Sequence, residues 1–244
     1  MTYEHRGETL PKIARLIVRL MAHHPDENGL IHAHSYAIAE ELADRLADFG
    51  VGSRVRTHTK ASRDDELTAW KASDDPEVFI AVKMEEALDL NGDLARWQVL
   101  CKAPYLNTND SRVARRLEDD QWAWYHRTAL RTVIQACGRV VRAPDDYGAT
   151  YLADSSLLDL FDRAAADMPP WFREQVDRCS RPTLPEFDPT AAVAGIDDPA
   201  DTRSRQRSVT QHRSESASSN GQTRTDADAD QRADHPLSDV WGDG

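Results

Sequence analysis

The residues best suited to chemistry form the string Gln135-Ala136-Cys137-Gly138-Arg139-Val140-Val141-Arg142. Read as helix, positions three and four apart share a side, so Gln135, Arg139 and Arg142 project together. Planar, permanently charged guanidinium groups bind phosphate oxygens through paired hydrogen bonds. They also stabilise charge that develops on a transferred phosphoryl group, the arginine-finger role. The same spacing suits an amphipathic helix whose arginines are merely solvated, with Val133, Cys137, Val140 and Val141 buried on the opposite side. Gly138 inside such a helix costs up to about 1 kcal/mol relative to alanine, a sign that something approaches the backbone there.

Two other segments could meet ligands. Glu85 to Arg96, which includes Asp89 and Gly92, lies between two expected strands, and loops at the carboxyl edge of a parallel sheet are where ligands bind. Its carboxylates could serve a metal or a ribose, or form a solvated acidic loop. Gly29 to Tyr36 reads as a strand running into a helix that Ser35 caps, leaving backbone N–H groups for a phosphate or a nucleic-acid backbone. An ordinary strand-to-helix turn has the same pattern. His32 and His34 have no third ligand spaced nearby, so no metal site is expected.

These residues need elements to hold them. From Leu10 to about Trp171 helix-like and strand-like apolar patterns alternate, which predicts an α/β fold around a mainly parallel sheet. Helices are expected from a Thr9 cap to Pro25, over Ser35 to Asp48, and from Ser62, where Asp65 completes a capping-box pattern. A long helical region from about Arg112 to Arg142 should break near Asp119 and Asp120, and further helices should start at Ser155 and about Pro170. Strands are expected at Gly29 to Ala33, around Val55, and at Val78 to Val82, Trp97 to Lys102 and Ala149 to Ala153. After about Pro182 Ser, Thr, Asp, Ala, Gln and Arg dominate, which predicts a disordered tail.

Composition limits the partners. The 244 residues carry a formal net charge of -12, the wrong sign for holding nucleic acid by bulk electrostatics, so any such site must be local. Five lysines stand against 25 arginines, and 29 aspartates against 13 glutamates, a balance that suggests a halophile. Cys101, Cys137 and Cys179 are too far apart for a CxxC site and are expected as reduced thiols. The absence of a membrane-length apolar run or an apolar leader points to a cytoplasmic protein.

Taken together, these segments resemble the C-terminal motor lobe of superfamily 2 helicases, most closely the XPD/DinG-like group, over roughly residues 5 to 178. Gly29 to Tyr36 looks like motif IV, and Thr57-His58-Thr59-Lys60 with Arg63, Asp64 and Asp65 looks like the segment after the next strand. Met84 to Asp93, continuing to Tyr105, looks like motif V, and Gln135 to Arg142 like motif VI. The resemblance implies a single RecA-like lobe at 1–180, followed by an acidic, Ser/Thr-rich disordered tail at 181–244. It further implies that Arg139 and Arg142 reach the phosphates of ATP, that Gln135 couples that site to the nucleic acid, and that Asp89, Gly92 and Gly138 border the nucleotide. Ser35, Tyr36, Lys102 and Tyr105 would lie along single-stranded DNA.

This chain departs from the pattern at Ala87, where the family usually has glycine, and at Lys83. It contains no GxxxxGK[ST] loop, no DEAH-like box and no iron-sulfur cysteines. ATP and Mg²⁺ are therefore expected to be shared with an N-terminal ATPase lobe, supplied in trans or by a split gene. The alternative is a non-catalytic, helicase-derived module that binds nucleic acid or a partner.

Overall fold

A computed structural model of the chain describes residues 5–82, 94–140, 147–194 and 196. Five parallel strands form one sheet: β1 (Gly29–His32), β2 (Val55–Arg56), β3 (Val78–Ala81), β4 (Trp97–Leu100) and β5 (Ala149–Leu152), in the order β2-β3-β1-β4-β5. β1 is central, with Gly29 opposite both Val78 and Trp97. Every residue of β1, β3 and β4 is buried, as expected for parallel strands covered on both faces, and this explains their nearly unbroken apolar sequences.

Alternation along the strands separates two cores. Ile31, Ile80, Trp97 and Val99 face α1 (Arg6–His23) and α2 (Tyr36–Asp48). On the other face Leu30 and Phe79 meet Trp70 of α3 (Arg63–Lys71). Beside them Leu100 meets α5 (Trp122–Cys137) and α6 (Ser156–Arg163) through Leu130, Val133, Leu157 and Phe161. α4 (Ser111–Glu118) precedes α5, and α7 (Pro170–Asp177) follows α6. The expected break between α4 and α5 falls at Asp120, whose φ of 58° lies in the left-handed region that a short polar side chain tolerates.

Three local expectations are corrected. α1 begins at Arg6 rather than at a Thr9 cap, because Arg6 bonds Glu41 and the Ala37 carbonyl of α2 and so orders the first turn. Pro11 consequently lies inside the helix. The Ser62 capping box does not form: the Ser62 hydroxyl accepts the Thr59 N–H at 3.0 Å and bonds the Thr59 hydroxyl, so it is not turned toward α3. Gly138 is the C-cap of α5, not a mid-helix residue.

The packed body also continues past 180. Arg19 donates to the Leu184 and Pro185 carbonyls, Arg15 lies 4.0 Å over the Phe187 ring, and Phe187 meets Phe49 edge-on. α8 (Pro189–Ala192), capped by Asp188, buries Ala192 completely. The compact unit that contains the sheet ends at Asp197. No helix among the described residues is long and apolar enough to cross a membrane.

Arg54 closes this side of the fold. Fully buried, it donates to the carbonyls of Met21 (2.8 Å), Ala192 (2.9 Å), Glu27 (3.0 Å), His24 (2.5 Å) and Pro76 (2.5 Å). Burial pulls its pKa down to about 10, which leaves it charged at neutral pH. Lysine could not reproduce this fork, and each abandoned buried carbonyl costs about 1–3 kcal/mol. Arg54→Lys should therefore lower unfolding stability by about 3 kcal/mol or more and speed proteolysis after residue 180, as read by urea denaturation and limited digestion.

Candidate functional site

The turn that carries Arg139 is held by a hydrogen-bond network inside the sheet. Gln98 is fully buried in β4, and its amide nitrogen donates to the Ala136 carbonyl at 2.9 Å and to the Thr150 hydroxyl of β5 at 2.8 Å. Its amide oxygen accepts from His32 Nε2 of β1 at 3.0 Å, which requires the imidazole to carry a hydrogen on that nitrogen. Three adjacent strands thus offer one polar side chain each to the end of one helix. Gly138 closes α5 by donating its N–H to the Ile134 carbonyl at 3.1 Å, and the Arg139 N–H reaches the Ala136 carbonyl at 3.0 Å. Val140 then re-enters the core beside Leu30, Trp70 and Phe79.

Gly148 permits this path. A Cβ there would lie 2.6 Å from the Val140 carbonyl oxygen and 2.9 Å from the Val140 side chain. Gln135 and Gly138 are exposed, Arg139 is half-buried, and Arg142 lies outside the described residues. Because α5 ends at Cys137, Arg139 stands beyond the helix, and the shared helical face expected for Gln135, Arg139 and Arg142 does not extend to it. The Cys137 thiol is pushed up to about 12 by burial, which makes it a poor nucleophile at neutral pH.

The residues expected to touch nucleic acid gather elsewhere, at the carboxyl edge of the sheet. Ser35 follows β1 and accepts the Ile38 N–H at 3.3 Å, capping α2 as expected. Tyr36 is 40% exposed and meets His58 edge-on at 5.7 Å. His58 stacks on Phe79 and accepts the Val82 N–H at 3.2 Å, so the segments leaving β1, β2 and β3 are tied together. Lys102 and Tyr105 follow β4. Lys102 is half-buried, and burial lowers its pKa. The Ala103 N–H bonds the Ser156 hydroxyl at 3.1 Å, and Tyr105 stacks on Tyr125 at 5.2 Å.

Ser35, Tyr36, Lys102 and Tyr105 therefore share one edge on the neighbouring strands β1 and β4, whereas Arg139 lies toward the amino ends of β4 and β5. α5, 16 residues and about 24 Å long, runs from the carboxyl-edge side, where Tyr125 stacks on Tyr105, to the end that carries the turn. Asp89 and Gly92 fall outside the described residues. Sequence reasoning missed Gln98, His32 and Thr150 as a group. The available signal was a lone glutamine amid the apolar residues of Trp97 to Cys101, where a buried amide needs partners.

A family model for the helicase C-terminal domain matches residues 17–175. Regulator of telomere elongation helicase 1 from Homo sapiens is 30% identical over 194 residues, which cover 70% of this chain and 16% of that protein. ATP-dependent DNA helicase chl-1 from Caenorhabditis elegans is 28% identical over 176 residues, 63% of this chain and 21% of the relative. The chain thus spans about a fifth or less of the length of these relatives. The solved structure of S. tokodaii Xpd4 shares the fold, with a TM-score of 0.51 and 23% identity over 69% of this chain and 34% of that one.

Replacing Gln98 with leucine nearly keeps the volume but removes three buried hydrogen bonds, leaving the Ala136 carbonyl without its tie to the sheet. Gln98→Leu should cost about 2–4 kcal/mol in denaturant unfolding. It should also raise amide exchange at Gly138 and Arg139 well above that of β1. Equal exchange in variant and parent would show that the network does not hold the turn.

Proposed function

The chain belongs to the helicase C-terminal domain family, and on that footing we propose that it is the second, RecA-like motor lobe of an XPD/DinG-like ATP-dependent DNA helicase. Arg139 and Arg142 act as arginine fingers on the phosphates of ATP held by an N-terminal ATPase lobe, and Gln135 couples that contact to the strand. Gly138 lets the nucleotide approach the backbone, and Asp89 with Gly92 borders the ribose. Among the described residues no cluster of His, Cys, Asp or Glu is arranged to hold a metal ion, and in this reading the first lobe holds the Mg²⁺. Single-stranded DNA runs over Ser35, Tyr36, Lys102 and Tyr105.

One observation supports this reading above the others: the strands that anchor the arginine turn are the strands that carry the DNA-facing residues. His32 of β1 is three residues before Ser35, and Gln98 of β4 is four residues before Lys102. A shift of the turn on nucleotide hydrolysis would be passed through the Gln98 amide to both strands. The exposed turn can meet a separate lobe without disturbing the carboxyl edge.

The full chain alone should show negligible ATPase activity and should stimulate a matching first lobe in the presence of single-stranded DNA. Arg139→Ala combined with Arg142→Ala should reduce the stimulated rate by about a thousandfold, the scale of losing an arginine finger, with DNA binding retained. Stimulation that survives the double substitution would overturn the finger assignment. ATP-independent DNA binding with no stimulation of any first lobe would favour the non-catalytic module.

A further inference from the structure

A second cluster of rings continues from Tyr105 at the carboxyl edge into α5, where no motif accounts for Trp122, Tyr125 and His126. Tyr105, three residues after Lys102, stacks on Tyr125 with ring centroids 5.2 Å apart and planes 6° apart. Trp122, the first residue of α5, lies edge-on to Tyr125 at 6.1 Å and tilted over His126 at 6.2 Å. His126 meets Tyr105 at 6.1 Å. Tyr125 is the keystone: it is buried, and its hydroxyl donates to the Leu106 carbonyl at 2.9 Å, which anchors the far end of the ring. Tyr105 packs against the core below. Trp122 nevertheless remains 48% exposed.

The surroundings of these rings narrow the ligand. Burial, reinforced by the nearby Arg163 guanidinium, lowers the His126 pKa and favours its neutral ring. Arg163 also lies close enough to Tyr105 to act on its phenol, while Asp159 acts in the opposite sense. On the neighbouring helix Arg116 lies 4.4 Å over the Trp124 ring. Rings held rigidly, with guanidinium groups beside them, match a strand of unpaired nucleotides, whose bases need flat apolar faces and whose phosphates need local cations. An acidic protein has particular use for such a surface, because stacking does not depend on counterion release.

We infer that Trp122, His126 and Tyr105 form a base-stacking platform that takes unpaired bases of single-stranded DNA as the strand leaves Lys102. The inference rests on the proposal that this edge binds single-stranded DNA, and it adds the stretch beyond Tyr105. The platform reads base faces rather than base edges, so it is indifferent to sequence and lost on abasic DNA.

The test titrates the full chain with a fluorescein-labelled oligothymidine of about 20 nucleotides and with its abasic counterpart, reading anisotropy. Trp122→Ala should weaken oligothymidine binding about tenfold, and Trp122→Phe should restore most of it. The abasic strand should bind parent and Trp122→Ala alike. Matching thermal melts for the two variants would confirm that the fold is intact. If oligothymidine binding is lost in Lys102→Ala but unchanged in Trp122→Ala, the platform is wrong while the DNA-binding edge stands. If the parent binds no single strand at all, with or without a first lobe, the edge reading itself fails. A Trp122→Ala variant that binds DNA normally but no longer stimulates the first lobe would assign the rings to a protein interface and overturn the platform.

Discussion

A single amide, that of Gln98, reconciles two demands that otherwise conflict. A parallel sheet covered on both faces must be apolar, yet the end of a helix packed on it leaves carbonyl groups without partners. Gln98 gives the Ala136 carbonyl, which already accepts the Arg139 N–H, a second bond from within the sheet, and is itself satisfied by His32 and Thr150. Apolar contacts supply most of the energy that seats α5 but little direction, since burial is indifferent to a small slide. The hydrogen bonds supply direction, because displacement of the turn would pull the Ala136 carbonyl out of line with the buried Gln98 amide.

The sheet therefore separates two tasks by length rather than by domain. Its carboxyl edge gathers hydroxyl, amine and aromatic groups, and its amino end presents the arginine turn, with β1 and β4 running between them. Arg54 gives the amino end its rigidity by binding carbonyls from α1, from the segments before β1 and β3, and from α8. Rigid strands suit a lobe proposed to move as one body against another, because compliance in the sheet would dissipate a displacement before it reached the far edge.

The fold was legible because buried parallel strands are short apolar runs and the intervening helices keep a 3.6-residue rhythm. Even the break at Asp120 was marked by paired aspartates. What failed depended on competition or distance. Gln135 to Arg142 fits helical spacing throughout, but the chain leaves the helix at Gly138, where the Arg139 N–H returns to the Ala136 carbonyl and Val140 turns into the core. Ser62 had an alternative partner in Thr59, three residues away. α8 was hidden by a composition that reads as solvated, since nothing local to Pro189 signals that its carbonyl neighbours complete the shell of Arg54. The stacked rings come from Tyr105 and from Trp122 to His126, and only the crossover between β4 and α5 brings them together.

Cys137 is half-buried beside the Gly138 cap and, together with Cys179, lines a cavity of about 530 Å³ between the end of α5, β5 and α7. The exposed Cys179 and the half-buried Cys137 thus open onto the same space, whereas Cys101 is buried. A group attached to either thiol would therefore stand against the Gly138 cap, from which the turn carrying Arg139 departs.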